Sequence, residues 1–164
     1  MTRRIWRIGS LLSGDGSGTE AFASVCEKGF ANGEIVLVVS DRAEAGGLER
    51  ARTRNIPTFV VNDEEVGRSP ALFINDFSKH LLSLEKIGEL ISQSADIIPV
   101  SITDVNERAA WIIKRFLAEN FLLDILVKHR IDFLLLDGFA WELSAFFIEQ
   151  VGIRFGEHCL VDVS

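Results

Sequence analysis

Three short stretches of this chain are apolar almost without a break: EIVLVVS at residues 34–40, DFLLLDGF at 132–139 and CLVDV at 159–163. A strand wetted on one face alternates apolar with polar residues, whereas one that stays apolar throughout belongs to a sheet covered on both faces. Two further runs, IWRIGSLL at 5–12 and TFVV at 58–61, complete five candidate strands. Segments of helical period lie between them. GTEAFASVCEKG sets Phe22, Val25 and Cys26 at helical spacing and stops at Gly29, while AGGLERARTRN puts Leu48 and Ala51 on one side and stops before Pro57. Residues 105–129 read as one long helix offering Trp111, Ile112, Phe116, Leu123 and Leu126 to a core, and ELSAFFIEQVG as a shorter helix closing at Gly152. Strand and helix in this rhythm imply an α/β fold, a doubly wound, mostly parallel open sheet with right-handed crossovers. At 164 residues the chain fits a single domain, 1–164.

The rhythm lapses over residues 62–103, a connection too long to be a bare loop. The expectation is a helical insertion after the third strand, one or two helices packed beside the sheet, with DIIPVSI offering a short extra strand. Phe73, Phe77 and Leu81 form its apolar seam, and any exposed part of that seam would suit a homo-oligomer interface.

Charge and cysteine content exclude several classes of function. With 24 acidic against 17 basic residues the net charge is −7, whereas general nucleic-acid binding needs a clustered basic surface. Cys26 and Cys159, the only two cysteines, make neither a disulfide scaffold nor a zinc knuckle, and no metal is expected. The N-terminus is basic and then apolar, but Arg7 interrupts the apolar run and no small-residue cleavage site follows. No run approaches the roughly 20 apolar residues that cross a bilayer. These features describe a soluble cytoplasmic protein with no membrane or nucleic-acid partner.

The stretch LLSGDGSGTEAF, residues 11–22, sets a glycine-rich loop between the first strand and the first helix. The first N–H groups of a helix lack internal partners and its dipole favours negative charge there. Glycines let the backbone approach a phosphate, and Ser17 and Thr19 add hydroxyl donors. The Gly-Lys-Ser/Thr ending of a nucleotide triphosphate loop is missing. The order G-D-G-S-G-T brings the third glycine one residue early for a dinucleotide fingerprint, although Asp41 follows the second strand where a ribose-binding carboxylate would sit. A monophosphate seat, a dinucleotide site and a plain turn all remain open, the spacing favouring the first.

Taken together, LLSGDGSGTEAF, VVSDRAEAGGLERARTRNIPTFVV and RIDFLLLDGFAWELSAFFI resemble the phosphoribosylglycinamide formyltransferase family. That family carries a G-N-G-S-N-type loop, a second strand ending in S-N-x-x-x-A-x-G-L-x-R-A, and a later A-G-F-M-R-I-L. The most specific match is SDRAEAGGLERAR; the resemblance covers about residues 4–61 and 106 onward, leaving 62–103 unmatched. It implies a Rossmann-like formyltransferase fold. It also implies transfer of a formyl group from 10-formyltetrahydrofolate, the co-substrate, to the amine of glycinamide ribonucleotide, a small phosphorylated substrate, in purine biosynthesis. By resemblance the substrate phosphate falls on Gly16, Ser17 and Gly18, with Gly18 where the family has asparagine. Arg108 in NERAAW is similar to a folate-side arginine. The folate-pocket segment M-R-I-L falls on Ala140, Trp141, Glu142 and Leu143, where Trp141 replaces arginine and suits either a pterin ring or the sheet edge.

Formyl transfer requires a neutral amine, a stabilised oxyanion and a proton for the leaving nitrogen. The family meets this with asparagine and histidine in N-x-H-P-S after the fifth strand, and a later aspartate. Here CLVDVS puts Asp162 at the asparagine position and Ser164 at the histidine position. An ionised aspartate repels an oxyanion, and serine is no proton shuttle at neutral pH. His158 substitutes only if the strand register differs by several residues; His80 and His129 lie on helical segments without a partner pattern. The candidate catalytic residues are therefore Asp162 and His158. One reading is a formyltransferase whose chain here lacks the family's C-terminal part. Another is a catalytically inactive sugar-phosphate-binding module or subunit of the same fold. A third is a formyltetrahydrofolate hydrolase with water as acceptor.

Overall fold

A computed structural model describes residues 4–62, 88–89, 92–156 and 158–163. Its strands are β1 (Trp6–Leu12), β2 (Gly33–Ser40), β3 (Thr58–Val60), β4 (Phe133–Asp137) and β5 (Leu160–Asp162). They form one sheet in the order β3-β2-β1-β4-β5, with every described pair parallel. The helices are α1 (Ser17–Glu27), α2 (Gly46–Thr53), α3 (Val105–Lys128) and α4 (Ala145–Phe155). The doubly wound α/β sheet expected from the apolar runs is therefore present.

The two faces carry separate cores. Ile8, Leu12, Val38 and Leu135 pack with Ala23 of α1 and with Leu48 and Ala51 of α2. Leu11, Leu37, Val39 and Leu134 pack on the other face with Leu122, Leu123 and Leu126 of α3 and with Phe147 and Val151 of α4. Each fully buried leucine stabilises the fold by about 1.5–3 kcal/mol. The register of β2 contains a bulge: Ile8 stands opposite Ile35 but Gly9 opposite Leu37, so Val36 is the extra residue. Ile35 and Val38 consequently share the α1–α2 face although three positions separate them.

Helix ends follow local chemistry. Asp104 opens α3 by accepting from the N–H groups of Asn106 and Glu107, at 2.9 and 3.0 Å, and Ser144 opens α4 by accepting from Phe147 N–H at 3.1 Å.

The structure corrects three expectations. Helix α4 does not close at Gly152 but runs on to Phe155 and ends at Gly156, whose φ of 104° only glycine adopts readily. The buried residues of α1 are Thr19 and Ala23, while Val25 is exposed, because the helix turns its small residues to the sheet. Residues 96–102 form turns and not a strand, with Ile102 N–H closing on Pro99 C=O. The Phe73–Phe77–Leu81 seam, His80 and Ser164 lie outside the described residues.

The chain leaves β1 toward β2 on one side and returns to β4 on the other. That reversal opens a crevice outside the carboxyl ends of β1 and β4, where ligands of doubly wound sheets bind.

Candidate functional site

One wall of the crevice is the glycine loop. Gly16 precedes α1 with φ 73°, and a Cβ there would meet the Cα of Gly47 at 2.8 Å. A Cβ on Gly47 would meet Leu12 Cδ2 at 2.5 Å. Two backbones therefore touch where the loop crosses the start of α2, and Gly47 N–H donates to Gly14 C=O at 3.1 Å. The glycine pair of AGGLERAR serves this close approach.

The other wall is the chain leaving β4, and Ser13 ties the two together. Its hydroxyl donates to Asp41 Oδ1 at the end of β2 and accepts from Ala140 N–H at 2.7 Å. The Asp41 carboxylate is thus spent on joining β1 to β2, and Asp41 C=O accepts from the Asn62 side chain at 2.9 Å.

Carboxylates of the protein already meet two loop N–H groups. Asp15 Oδ1 accepts from Ser17 N–H at 3.2 Å. That bond, then the Ser17 hydroxyl, and then Arg50 hold the Asp15 carboxyl below its ordinary value. Asp137, the last residue of β4, accepts through Oδ2 from Thr19 N–H at 2.7 Å and from the Thr19 hydroxyl at 2.8 Å. Thr19 Oγ1 in turn lies 2.7 Å from Ser10 Oγ, and the Ser10 side chain is fully buried.

The segment 140–143 is held by a buried cation. Arg115 on α3 stacks its guanidinium on Trp141 at 3.8 Å and on Trp111 at 4.7 Å, and donates to Glu142 C=O at 2.9 Å. Glu119, one turn further along α3 and buried, accepts from Ser144 N–H at 2.8 Å and from the Ser144 hydroxyl. One face of Trp141 is therefore occupied by protein, and its ring meets Phe139 edge-on at 6.2 Å. Ala140 and Glu142 each commit a backbone group to Ser13 and Arg115, while Leu143 packs against the α3–α4 core. Arg108 lies on the first turns of α3 and donates to Ile102 C=O at 3.1 Å.

The two candidate catalytic residues lie at opposite ends of β5. Asp162 is exposed at its carboxyl end, in register with Leu136 of β4. His158 precedes the strand at the amino end and opens onto a cavity of about 360 Å³ lined by Arg4, Trp6, Asp132 and Phe155. The pairing Leu134–Leu160, Leu135–Val161, Leu136–Asp162 carries no shift and leaves His158 beyond the amino end of β5, at the opposite end of the strand from Asp162. Among the described residues, no group of three His, Cys, Asp or Glu side chains could hold a metal ion. Cys159 is buried and Cys26 half-buried, both free, and burial pushes both thiols up and away from the reactive thiolate.

Sequence reading had not singled out Ser10, Ser13, Arg115, Glu119 or Asp137. The available signal was their polarity inside apolar runs: Ser10 within IGSLL, Asp137 closing FLLLD, and Arg115 and Glu119 one turn apart on a helix rich in apolar residues.

Comparison with known proteins assigns the family. The model of the formyl transferase family matches residues 6–151. The chain belongs to the formyl transferase family. A chloroplastic phosphoribosylglycinamide formyltransferase of Vigna unguiculata is 27% identical over 124 residues, 74% of this chain and 38% of that protein. The solved phosphoribosylglycinamide formyltransferase of Coxiella burnetii superposes with a TM-score of 0.61 at 21% identity, covering 97% of this chain and 51% of that one. A formyltetrahydrofolate deformylase of Pseudomonas putida superposes with a TM-score of 0.57 at 10% identity, covering 99% of this chain and 39% of that one. At these identities the solved structures establish a shared formyl transferase fold. The chain spans between about a third and a half of the length of these three relatives. Among the described residues no helix is long and apolar enough to cross a membrane.

Proposed function

We propose that this chain is the phosphate-binding part of a formyl transferase that moves a formyl group from 10-formyltetrahydrofolate to the amine of glycinamide ribonucleotide in purine biosynthesis. The observation that carries the reading is the Ser13 bridge, which brings the glycine loop against Ala140 across the β1–β4 crevice. A phosphate-bearing substrate on Gly16, Ser17 and Gly18 and a folate along Ala140, Trp141, Glu142 and Leu143, with Arg108 on the folate side, would then share one crevice. The names of the Vigna and Coxiella relatives support this choice of substrates. In the reaction the amine nitrogen attacks the formyl carbon and the bond from that carbon to N10 breaks. The amine loses one proton and N10 gains one. Asp162 is a base for the first proton, while its charge opposes the oxyanion. A cytoplasmic site of action and a homo-oligomer belong to the same reading.

A second reading is favoured by the separation of Asp162 from His158: a catalytically silent sugar-phosphate-binding module or subunit of the same fold. The deformylase likeness adds water as an alternative acceptor on this fold. One set of experiments separates these readings. Release of tetrahydrofolate from 10-formyltetrahydrofolate is measured with glycinamide ribonucleotide, and then with water alone, beside calorimetry with the ribonucleotide. Amine-dependent release supports the first reading and binding without release supports the second. Release without the amine supports a hydrolase, and neither binding nor release defeats all three.

A further inference from the structure

We infer that Asp137 is a specificity-determining residue of the glycine loop: its carboxylate occupies the start of α1, and a ligand's phosphate seats there only in competition with it. The inference rests on the proposed reading of Gly16, Ser17 and Gly18 as a phosphate seat and adds what limits that seat.

Two independent observations place the carboxylate. Its Oδ2 takes both donors of Thr19, N–H at 2.7 Å and hydroxyl at 2.8 Å. Its Oδ1 lies 2.5 Å from the point where any residue but glycine at position 18 would carry its Cβ. Gly18 is therefore the residue that admits Asp137, a role distinct from letting the backbone approach a ligand. By the resemblance, the alanine of A-G-F-M-R-I-L falls on Asp137 and the family's asparagine on Gly18, so this chain carries an anion and the space for it at those two positions.

The arrangement is anchored from below. With Thr19 donating to Asp137, the fully buried Ser10 hydroxyl, 2.7 Å away, donates to Thr19 Oγ1. Among the described residues, the loop also has little positive charge to spare. Arg50, the cation that reaches it, stands 3.5 Å from Asp15 and also pairs with Glu20. An incoming phosphate would meet a carboxylate already holding the Thr19 N–H, and like charges at such separations oppose each other strongly where water is partly excluded.

The test uses the full chain and calorimetric titration with inorganic phosphate and with ribose 5-phosphate at fixed pH and matched ionic strength. Asp137→Asn keeps an acceptor for Thr19 and removes the charge. Asp137→Ala combined with Gly18→Asn removes the charge and returns a side-chain donor, so that failure of one variant to fold leaves the other. Both should bind either probe at least about tenfold more tightly than the natural chain, consistent with loss of a short-range like-charge repulsion. Equal affinity in the natural chain and in a folded variant overturns the inference and leaves the phosphate seat standing. Absence of binding by all three proteins overturns the phosphate seat itself, and the inference with it.

Discussion

Replacing Gly18 by alanine tests the placement of Asp137 most directly, since 119 residues separate two positions that touch only through the fold. The new Cβ would lie 2.5 Å from Asp137 Oδ1 and 2.9 Å from its Cγ. The obstacle is the end of a short side chain, which can swing away, so the cost is set by the contacts it abandons. Those are the two bonds from Thr19. A hydrogen bond to a charged group contributes about 1.5–3 kcal/mol, and because both bonds belong to one cap a total of about 2–3 kcal/mol is appropriate. Alanine in place of glycine in a helix returns about 0.5–1 kcal/mol. Gly18→Ala should therefore destabilise the natural protein by about 1–2.5 kcal/mol. In an Asp137→Ala background the obstacle is gone, and the same change should stabilise by about 0.5–1 kcal/mol. Urea unfolding of the four proteins, followed by circular dichroism, measures the coupling, expected at about 2–3 kcal/mol. If Gly18→Ala shifts stability equally in both backgrounds, within about 0.5 kcal/mol, the carboxylate does not rest against residue 18 and the reasoning is refuted.

Arg115→Met should release the Trp141–Glu142 segment by removing the stacked cation and the bond to Glu142 C=O, costing about 2–3 kcal/mol in urea unfolding and weakening near-ultraviolet dichroism from Trp111 and Trp141. An unchanged tryptophan signal would contradict the clasp. Acid sensitivity offers a separate check: the hydrogen bond from Arg50, then that from Arg54, hold the Glu20 carboxyl below its ordinary 4.5. A lowered folded value means that this stabilisation is fully present above pH 4.5 and is lost as pH falls through the folded value, so Glu20→Gln should flatten the acid side of the stability profile and leave its neutral shape unchanged. Parallel profiles for the two proteins below pH 4.5 would disprove it.

Much of the fold was legible because its signals are local. A strand covered on both faces must be apolar throughout, and β2 and β4 fit that rule, whereas β5, apolar as it is, lies at the sheet edge with Val161 and Asp162 exposed. The long helix of 105–129 declared itself by period and appears as Val105–Lys128. The glycine loop was legible as a strand–helix junction, and Gly16 immediately precedes α1. Less legible was the bulge at Val36, because nothing in GEIVLVVS marks which residue goes unpaired; the register of the neighbouring strand decides it. The end of α4 lies beyond the expected Gly152 because glycine lowers helix propensity by only about 1 kcal/mol, which packing of Phe147 and Val151 against the sheet outweighs.

The sequence by itself determined a two-faced parallel sheet, its helices, and a loop with the backbone freedom to hold an anion. Only the tertiary structure decided which anion stands closest. Asp137 and Thr19 are 118 residues apart, and in sequence Asp137 is simply the polar end of an apolar run. They meet because the strand order sets β4 directly beside β1, with Leu12 opposite Asp137, so the carboxyl end of one strand arrives at the helix that follows the other. Periodicity reports what each element turns toward the core, while the partner of a polar group at an element's end is set by which strands become neighbours.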